Sequence, residues 1–135
     1  MTAELGPETL TIAEVAAFSG LSAHTLRYYE RIGLLAHIGR TPGGRRAFTD
    51  DDVDWLGTLR CLRDTGMPIA RMQRYAELTR VSGTEEERMR ILEEHDDEVT
   101  RRMTELENQR QYIRDKIAWY RDVAIPERPP VQNKI

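Results

Sequence analysis

The stretch LTIAEVAAFSGLSAHTLRYYERIGLL, residues 10–35, decides the fold of this chain. Its apolar residues recur at helical spacing in two segments, residues 12–19 and 23–32. Gly20 and Gly33 follow these segments, and glycine is the residue that most often ends a helix. The break between the two helices is only three or four residues long, which is the spacing of a helix-turn-helix motif.

The residues that follow predict a wing and two further helices. The turn sequence RTPGGRR, residues 40–46, lies between two short segments of extended character, which indicates a β-hairpin within residues 34–48. Helical spacing returns over residues 50–65 and again over residues 68–80, where a proline suits the first turn. The predicted fold is therefore mainly α, a winged helix-turn-helix domain followed by a helical pair.

Three helix starts carry the capping-box pattern, in which a Ser or Thr is followed three residues later by an acid or amide. The pairs are Thr11 with Glu14, Thr49 with Asp52, and Thr84 with Glu87. Each pair precedes a segment of helical spacing. We therefore expect the Thr hydroxyl and the acid to accept hydrogen bonds from main-chain N–H groups at three helix N-termini.

The last predicted helix, residues 84–121, is the longest of the chain, and its apolar residues repeat every seven positions. Nothing else in the sequence is left to cover this stripe, so we expect a second copy to cover it and form a homodimer through a coiled coil. The expected seam residues are Leu92, Val99, Met103, Leu106, Ile113 and Ile117.

Two charged seam positions indicate the direction of this coiled coil. A parallel pair would place Asp96 against Asp96 and Arg110 against Arg110, which is unfavourable in a coiled-coil interior. An antiparallel pair centred near residues 103–106 would instead bring Asp96 of one copy near Arg110 of the other. We expect the antiparallel arrangement.

Composition and length set the class of the protein. The chain has 135 residues, 39% of them hydrophobic and 32% charged, which is typical of a soluble protein. No apolar run approaches the length of a bilayer span and the N-terminus has no signal-peptide pattern, so the expected location is the cytoplasm. We divide the chain into a flexible N-terminus (1–9), the winged helix-turn-helix domain with two following helices (10–83), the coiled-coil dimerisation helix (84–122) and a flexible tail (123–135).

Charge is unevenly placed along the chain, although the net formal charge is only −3. Residues 24–48 carry five Arg and one Glu, whereas residues 84–123 carry eight basic and twelve acidic residues. Arginine reads guanine edges or contacts phosphates, and a tyrosine hydroxyl suits phosphate oxygens. A solvated surface is the alternative reading of the arginines. The expected contacts to double-stranded DNA are His24, Thr25, Arg27, Tyr28, Arg31, Arg40, Arg45 and Arg46.

The sequence closely resembles the MerR family of transcription regulators. The resemblance rests on residues 10–35 with the string TLRYYE, on TDDDVDWL at residues 49–56 and on RDTGMPIARM at residues 63–72. It implies an antiparallel dimer on a pseudo-palindromic promoter whose spacer is too long for RNA polymerase. Such regulators activate by bending and untwisting that spacer. By position, the resemblance implies DNA contacts from His24, Arg27, Tyr28 and Arg46.

Two wing positions depart from the family pattern. The family often has an aromatic residue at the position of Arg45 and a tyrosine at the position of Phe48. Because Phe48 has no hydroxyl, we do not expect it to contact DNA. The extra charge of Arg45 offers a compensating phosphate contact.

The single cysteine, Cys61, excludes an internal disulfide. The resemblance points to the compact branch of the family, which responds to aldehydes, nitric oxide or other electrophiles through one cysteine in the third helix. Cys61 matches that position, on a predicted polar face beside Arg60 and Arg63, which favour a thiolate, and Asp64, which opposes one. A sensing thiol and a passive thiol remain open alternatives.

Other classes of function have less support. The histidines His24, His37 and His95 lie in different elements without metal-ligand spacing, so no metal site and no cofactor are expected. No phosphate loop, nucleophile elbow or paired carboxylates indicate an enzyme. Two alternatives stay open: a simple repressor without a thiol switch, and a coiled-coil adaptor that does not bind DNA.

Overall fold

The computed structural model describes residues 9–35 and 38–127. Five helices and one short hairpin follow each other in the predicted order. They are α1 (Ile12–Ser19), α2 (Ala23–Arg31), β1 (Gly39–Arg40), β2 (Arg46–Ala47), α3 (Asp50–Asp64), α4 (Ile69–Thr79) and α5 (Glu85–Trp119). The mainly helical fold with a helix-turn-helix, a wing and a long last helix is thereby confirmed.

The helix-turn-helix is defined by its caps. The Thr11 hydroxyl accepts the amide of Glu14 at 3.1 Å, and the Glu14 carboxylate accepts the amide of Thr11 at 2.8 Å. Gly20 then ends α1 with a φ of 78°, a left-handed conformation that suits glycine. Ser22 begins α2 by accepting the amide of Thr25. The predicted box at Thr49 and Asp52 also forms, at the start of α3.

The third predicted capping box is wrong. The Thr84 hydroxyl donates to the carbonyls of Leu78 and Val81 at 2.7 and 2.8 Å, across the turn that precedes α5. The Glu87 carboxylate pairs instead with Arg74 of α4 at 2.9 Å. The same residue types therefore join α5 to α4 and do not cap α5.

The core lies between α1, α2, α3 and α4. Its fully buried side chains include Val15 of α1, Leu26 of α2, Leu56 and Leu59 of α3, and Met72 of α4. In α2, α3 and α4 the buried side chains recur at helical spacing on one face, and these apolar faces pack together. Burial of this face leaves the opposite face of α2 available for contact with a partner.

Phe48 and Leu10 attach the wing to the core. The amide of each residue donates to the carbonyl of the other, at 2.7 and 2.8 Å, in a single antiparallel bridge. The Phe48 ring is 1% exposed. The burial of Phe48 agrees with the expectation that it makes no contact with DNA. A tyrosine at this position would have to extend its hydroxyl out of the core to reach a phosphate.

Helix α5 extends over 35 residues, about 53 Å at ~1.5 Å per residue. It is followed by a π-helical turn over Tyr120–Ala124, so helical backbone reaches slightly beyond the predicted end at residue 121. The chain divides into two compact units, residues 1–93 and 94–135, and this division falls within α5. The predicted flexible N-terminus falls almost wholly outside the described residues, as do His37 and most of the predicted tail.

No helix in the described ranges is long and apolar enough to span a lipid bilayer.

Candidate nucleic-acid interface

Helix α2 presents a polar, basic face on the side opposite the core. His24, Arg27 and Arg31 are exposed, and Tyr28 is 37% exposed. Leu26 and Tyr29 of the same helix are buried. Because the helix repeats every 3.6 residues, these two apolar residues fix which side chains point away from the core. Four of the five predicted α2 contacts are thus accessible on one short helix.

Two of the α2 side chains are held by neighbours. The Arg31 guanidinium lies over the Tyr28 ring at 5.2 Å from its centroid, a cation–π contact between residues one helical turn apart. Thr25 is half-buried and its hydroxyl is 3.0 Å from that of Ser22. The Ser22 hydroxyl donates this hydrogen bond, so the Thr25 hydroxyl keeps its own proton for donation to a ligand.

The wing is a tight antiparallel hairpin in which Arg40 faces Arg46. The amide of Thr41 donates to the carbonyl of Arg45, and that of Gly44 donates to the carbonyl of Thr41, both at 2.8 Å. The Arg40 guanidinium folds over this turn and donates to the carbonyl of Gly44 at 3.0 Å. Arg45 remains exposed at the turn. The wing therefore carries cationic side chains on a compact backbone.

An ion pair joins α2 to the wing. The Nε of Arg46 donates to the Glu30 carboxylate at 2.6 Å, with both side chains about one quarter exposed. Glu30 was not among the predicted site residues, although its isolation as the one acid in a basic stretch was an available signal. Arg46 therefore joins α2 to the wing. Only its Nε is used in this ion pair, so the two terminal nitrogens of the guanidinium can make a further contact.

The wing and the first turn of α1 line a shallow groove. It consists of two adjoining hollows that share Thr11, Arg45 and Arg46. One of them also includes Glu14, and the other includes Ile12 and Arg40. The positive end of the α1 dipole lies beside this groove, where the Glu14 carboxylate that caps the helix partly offsets it. The groove and the exposed face of α2 together form the candidate interface.

Cys61 is exposed on α3, in agreement with its predicted polar face. The two arginines beside it are engaged elsewhere. Arg63 pairs with Asp64 at 2.9 Å, and Arg60 contacts Asp64 at 3.4 Å while donating to the carbonyl of Ser19. The Arg63 guanidinium holds the pKa of the Asp64 carboxyl below its ordinary value. The charge of both arginines is therefore largely directed at Asp64.

The predicted seam residues of α5 are accessible in the single chain. Met103 and Leu106 are both 66% exposed, Ile113 and Ile117 are also exposed, and Val99 is half-buried. Leu92 is 37% exposed. Within residues 9–35 and 38–127, no group of three or more His, Cys, Asp or Glu side chains is placed to hold a metal ion.

A helix-turn-helix with an exposed basic second helix and a basic wing defines a class of protein, the winged helix-turn-helix regulators of transcription. Residues 10–79 match the family model described as the MerR HTH family regulatory protein. The chain belongs to this family.

Similar proteins agree with this assignment. The chain is 40% identical to an HTH-type transcriptional regulator of Haemophilus influenzae, over 83% of its own length and 84% of the relative. It resembles the structure of HiNmlR, a MerR family regulator lacking the sensor domain and bound to promoter DNA, with a TM-score of 0.78, 38% identity, and coverage of 86% of this chain and 93% of that one. A MerR family transcriptional regulator from Listeria monocytogenes gives a TM-score of 0.82, 35% identity, and coverage of 87% and 89%. Such relatives are regulators, as expected for a chain that is not an enzyme.

Proposed function

We propose that the protein binds double-stranded promoter DNA as a homodimer in the cytoplasm and regulates transcription there. The observation that carries this proposal is the joint between α2 and the wing. The Glu30–Arg46 pair holds two basic elements together, so that one can enter a major groove while the other meets the neighbouring backbone. The promoter DNA bound to HiNmlR supports the proposal.

Each part of the interface has its own task. Arg27 and His24 are exposed at the middle and start of α2 and reach base edges, whereas Tyr28 and Arg31 reach phosphates as a stacked pair. In the wing, Arg40 and Arg45 contact the sugar-phosphate backbone, and Arg46 adds a phosphate contact through its outer nitrogens. Thr25, in the first turn of α2, donates its hydroxyl proton to a phosphate.

The dimer forms through α5, with the two copies antiparallel. Residues 85–98 carry eight acidic and two basic residues, whereas residues 110–121 carry four basic and one acidic residue. An antiparallel pair places the acidic part of one copy beside the basic part of the other, and a parallel pair would place like charges together. The exposed stripe from Leu92 to Ile117 supplies the apolar contact.

We infer that the dimer acts on RNA polymerase by bending and untwisting an overlong promoter spacer. Simple repression by blocking polymerase is the alternative. In vitro transcription from the cognate promoter distinguishes activation by distortion from repression by blocking. Added protein raises transcription from the overlong spacer under distortion and lowers it under occlusion, while a promoter of ordinary spacer length gains nothing in either case.

Binding is tested with duplexes that the wild-type protein selects from a random-sequence library. Arg27→Ala should weaken binding by about 1–3 kcal/mol if Arg27 reads a base. The matched control is Arg90→Ala, which removes an exposed arginine of α5 outside the interface. If the two variants bind with equal affinity, Arg27 does not belong to the interface. If the wild-type protein shows no salt-dependent binding to any duplex, the alternative function of a coiled-coil adaptor is favoured.

We further propose that Cys61 senses small electrophiles as part of a stress response. Its exposure allows reagents to reach the thiol, although both neighbouring arginines are directed at Asp64. Cys61→Ser should bind the selected duplex as the wild type does but lose induction by an aldehyde or a nitrosothiol. Full induction of the variant would show that the thiol is passive.

A further inference from the structure

Three consecutive main-chain carbonyls directly after α2 accept hydrogen bonds from side chains that are distant in sequence. The carbonyl of Ile32 accepts Gln73 at 3.0 Å, that of Gly33 accepts the Arg80 guanidinium, and that of Leu34 accepts the Trp55 indole at 2.7 Å. We call these three acceptors the carbonyl row. The amides of these three residues close the last turn of α2, so the side chains that hold their carbonyls help to decide how firmly the helix end is held.

Two of the three donors belong to the α4 region. Gln73 lies in α4 and Arg80 caps its C-terminal end, so one element holds two adjacent carbonyls of the row. The positive charge of the guanidinium also interacts favourably with the negative, C-terminal end of the α2 dipole. Trp55 of α3 completes the row while its ring stacks on Tyr75 of α4, with centroids 5.8 Å apart.

The α4 region is itself joined to the start of α5. Arg74 pairs with Glu87 at 2.9 Å, and the Thr84 hydroxyl donates to the carbonyls of Leu78 and Val81. A continuous set of polar contacts therefore runs from the start of α5, through α4, to the end of the helix that carries Arg27.

We propose that Gln73 and Arg80 are positioning residues for promoter reading, which hold the C-terminal end of α2 at the place where its exposed side chains match base edges. The inference rests on the proposed function. Hydrogen bonds to bases weaken steeply when donor and acceptor move apart or lose their angle, so a small shift of α2 reduces discrimination between sequences. Contacts to phosphate are more tolerant, because they depend mainly on charge.

The test compares two duplexes, one selected by the wild-type protein and one of random sequence, over a range of salt concentrations. Arg80→Met should weaken binding to the selected duplex about tenfold and leave binding to the random duplex unchanged. Arg80→Lys should restore part of the loss because an ammonium can still donate to a carbonyl. Gln73→Met should act in the same direction, and Arg90→Met is the control for a lost surface charge.

The salt dependence separates positioning from direct contact. If Arg80 touched a phosphate, its removal would weaken both duplexes and lower the slope of log affinity against log salt by about 0.9. That outcome, or an unchanged affinity for the selected duplex, overturns the proposal.

Hydrogen exchange, measured without DNA, tests the positioning role independently of the proposed function. The amides of Ile32, Gly33 and Leu34 donate to carbonyls of the last turn of α2. Their hydrogen exchange should be faster in Arg80→Met and Gln73→Met than in the Arg90 control, while thermal unfolding confirms that all variants fold. Unchanged exchange overturns the proposal. If the wild type selects no duplex, the proposed function fails and exchange alone still decides whether α4 holds the end of α2.

Discussion

At Gly20 two requirements meet in one residue. The backbone is left-handed, with a φ of 78°, and the Arg60 guanidinium occupies the place where a Cβ would stand. The same guanidinium donates to the carbonyl of Ser19 at the end of α1. The turn of the helix-turn-helix therefore depends on a residue from α3, on the far side of the intervening wing in sequence.

Gly20→Ala should lower the free energy of unfolding by about 2–3 kcal/mol. About 1–2 kcal/mol comes from the left-handed backbone and about 1 kcal/mol from the displaced Arg60 hydrogen bond. Gly57→Ala is the matched control, because Gly57 lies within α3 and nothing stands within 4 Å of its Cβ position. This control should gain about 0.5–1 kcal/mol from helix propensity. Denaturant unfolding measures the free energy of unfolding of both variants. If it changes in the same direction in both, the explanation from the left-handed backbone of Gly20 is contradicted.

The residues of the interface were only partly predictable. Arg27 and Arg31 are exposed as the helical pattern required, because the apolar positions Leu26 and Tyr29 fixed the face. The ion pair of Arg46 with Glu30 was not predictable, since it joins residues from a helix and a strand whose packing the local sequence does not specify.

At the scale of elements, the helix starts show what a local signal can and cannot decide. Thr11 and Thr49 form the predicted boxes because all the groups involved lie within four residues. Thr84 has the same neighbours in sequence, but the preceding turn offers it the carbonyls of Leu78 and Val81. The third box fails because tertiary acceptors compete for the same hydroxyl.

Thr49→Ala should lower the free energy of unfolding by about 1 kcal/mol, the usual cost of a lost N-cap. Thr58→Ala lies within the same helix and removes only a 3.5 Å contact to the Asp54 carbonyl. It should be neutral or slightly stabilising because alanine is the better helix former. Thermal unfolding of the two variants gives the comparison, and equal losses would mean that the cap is not the cause.

The five helices and the hairpin were predictable for the same local reason, since period, caps and glycine stops all lie within each element. The contacts of the carbonyl row were not, because their partners are 21, 41 and 47 residues apart in sequence. The sequence therefore predicted that a helical pair, α3 and α4, follows the wing, but it did not predict how this pair is attached to the end of α2.

For the whole molecule, the direction of the dimer is the decisive prediction. In a Cys61→Ser background, Met103→Cys should form an inter-chain disulfide under mild oxidation, because an antiparallel pair that brings Asp96 near Arg110 is centred there. Leu92→Cys should not, since the two copies of this seam residue would lie about 33 Å apart along an antiparallel coil, whereas a parallel pair would place them in contact. Non-reducing electrophoresis shows the result, and efficient coupling at residue 92 would establish a parallel pair.

The heptad repeat of α5 couples the length of the helix to the DNA that the proposed dimer can bind. Removing seven residues shortens a helix by about 10.5 Å and keeps the apolar stripe in phase, whereas removing three or four breaks the phase. Two reading helices bind one face of a duplex only when they are separated by about 34–36 Å or a multiple of it. Coil length and operator spacing are therefore matched quantities. Because one heptad is shorter than the about 34–36 Å between permitted spacings, its gain or loss should move the two reading helices off one face of the duplex and abolish operator binding, without a change in any residue that reads a base.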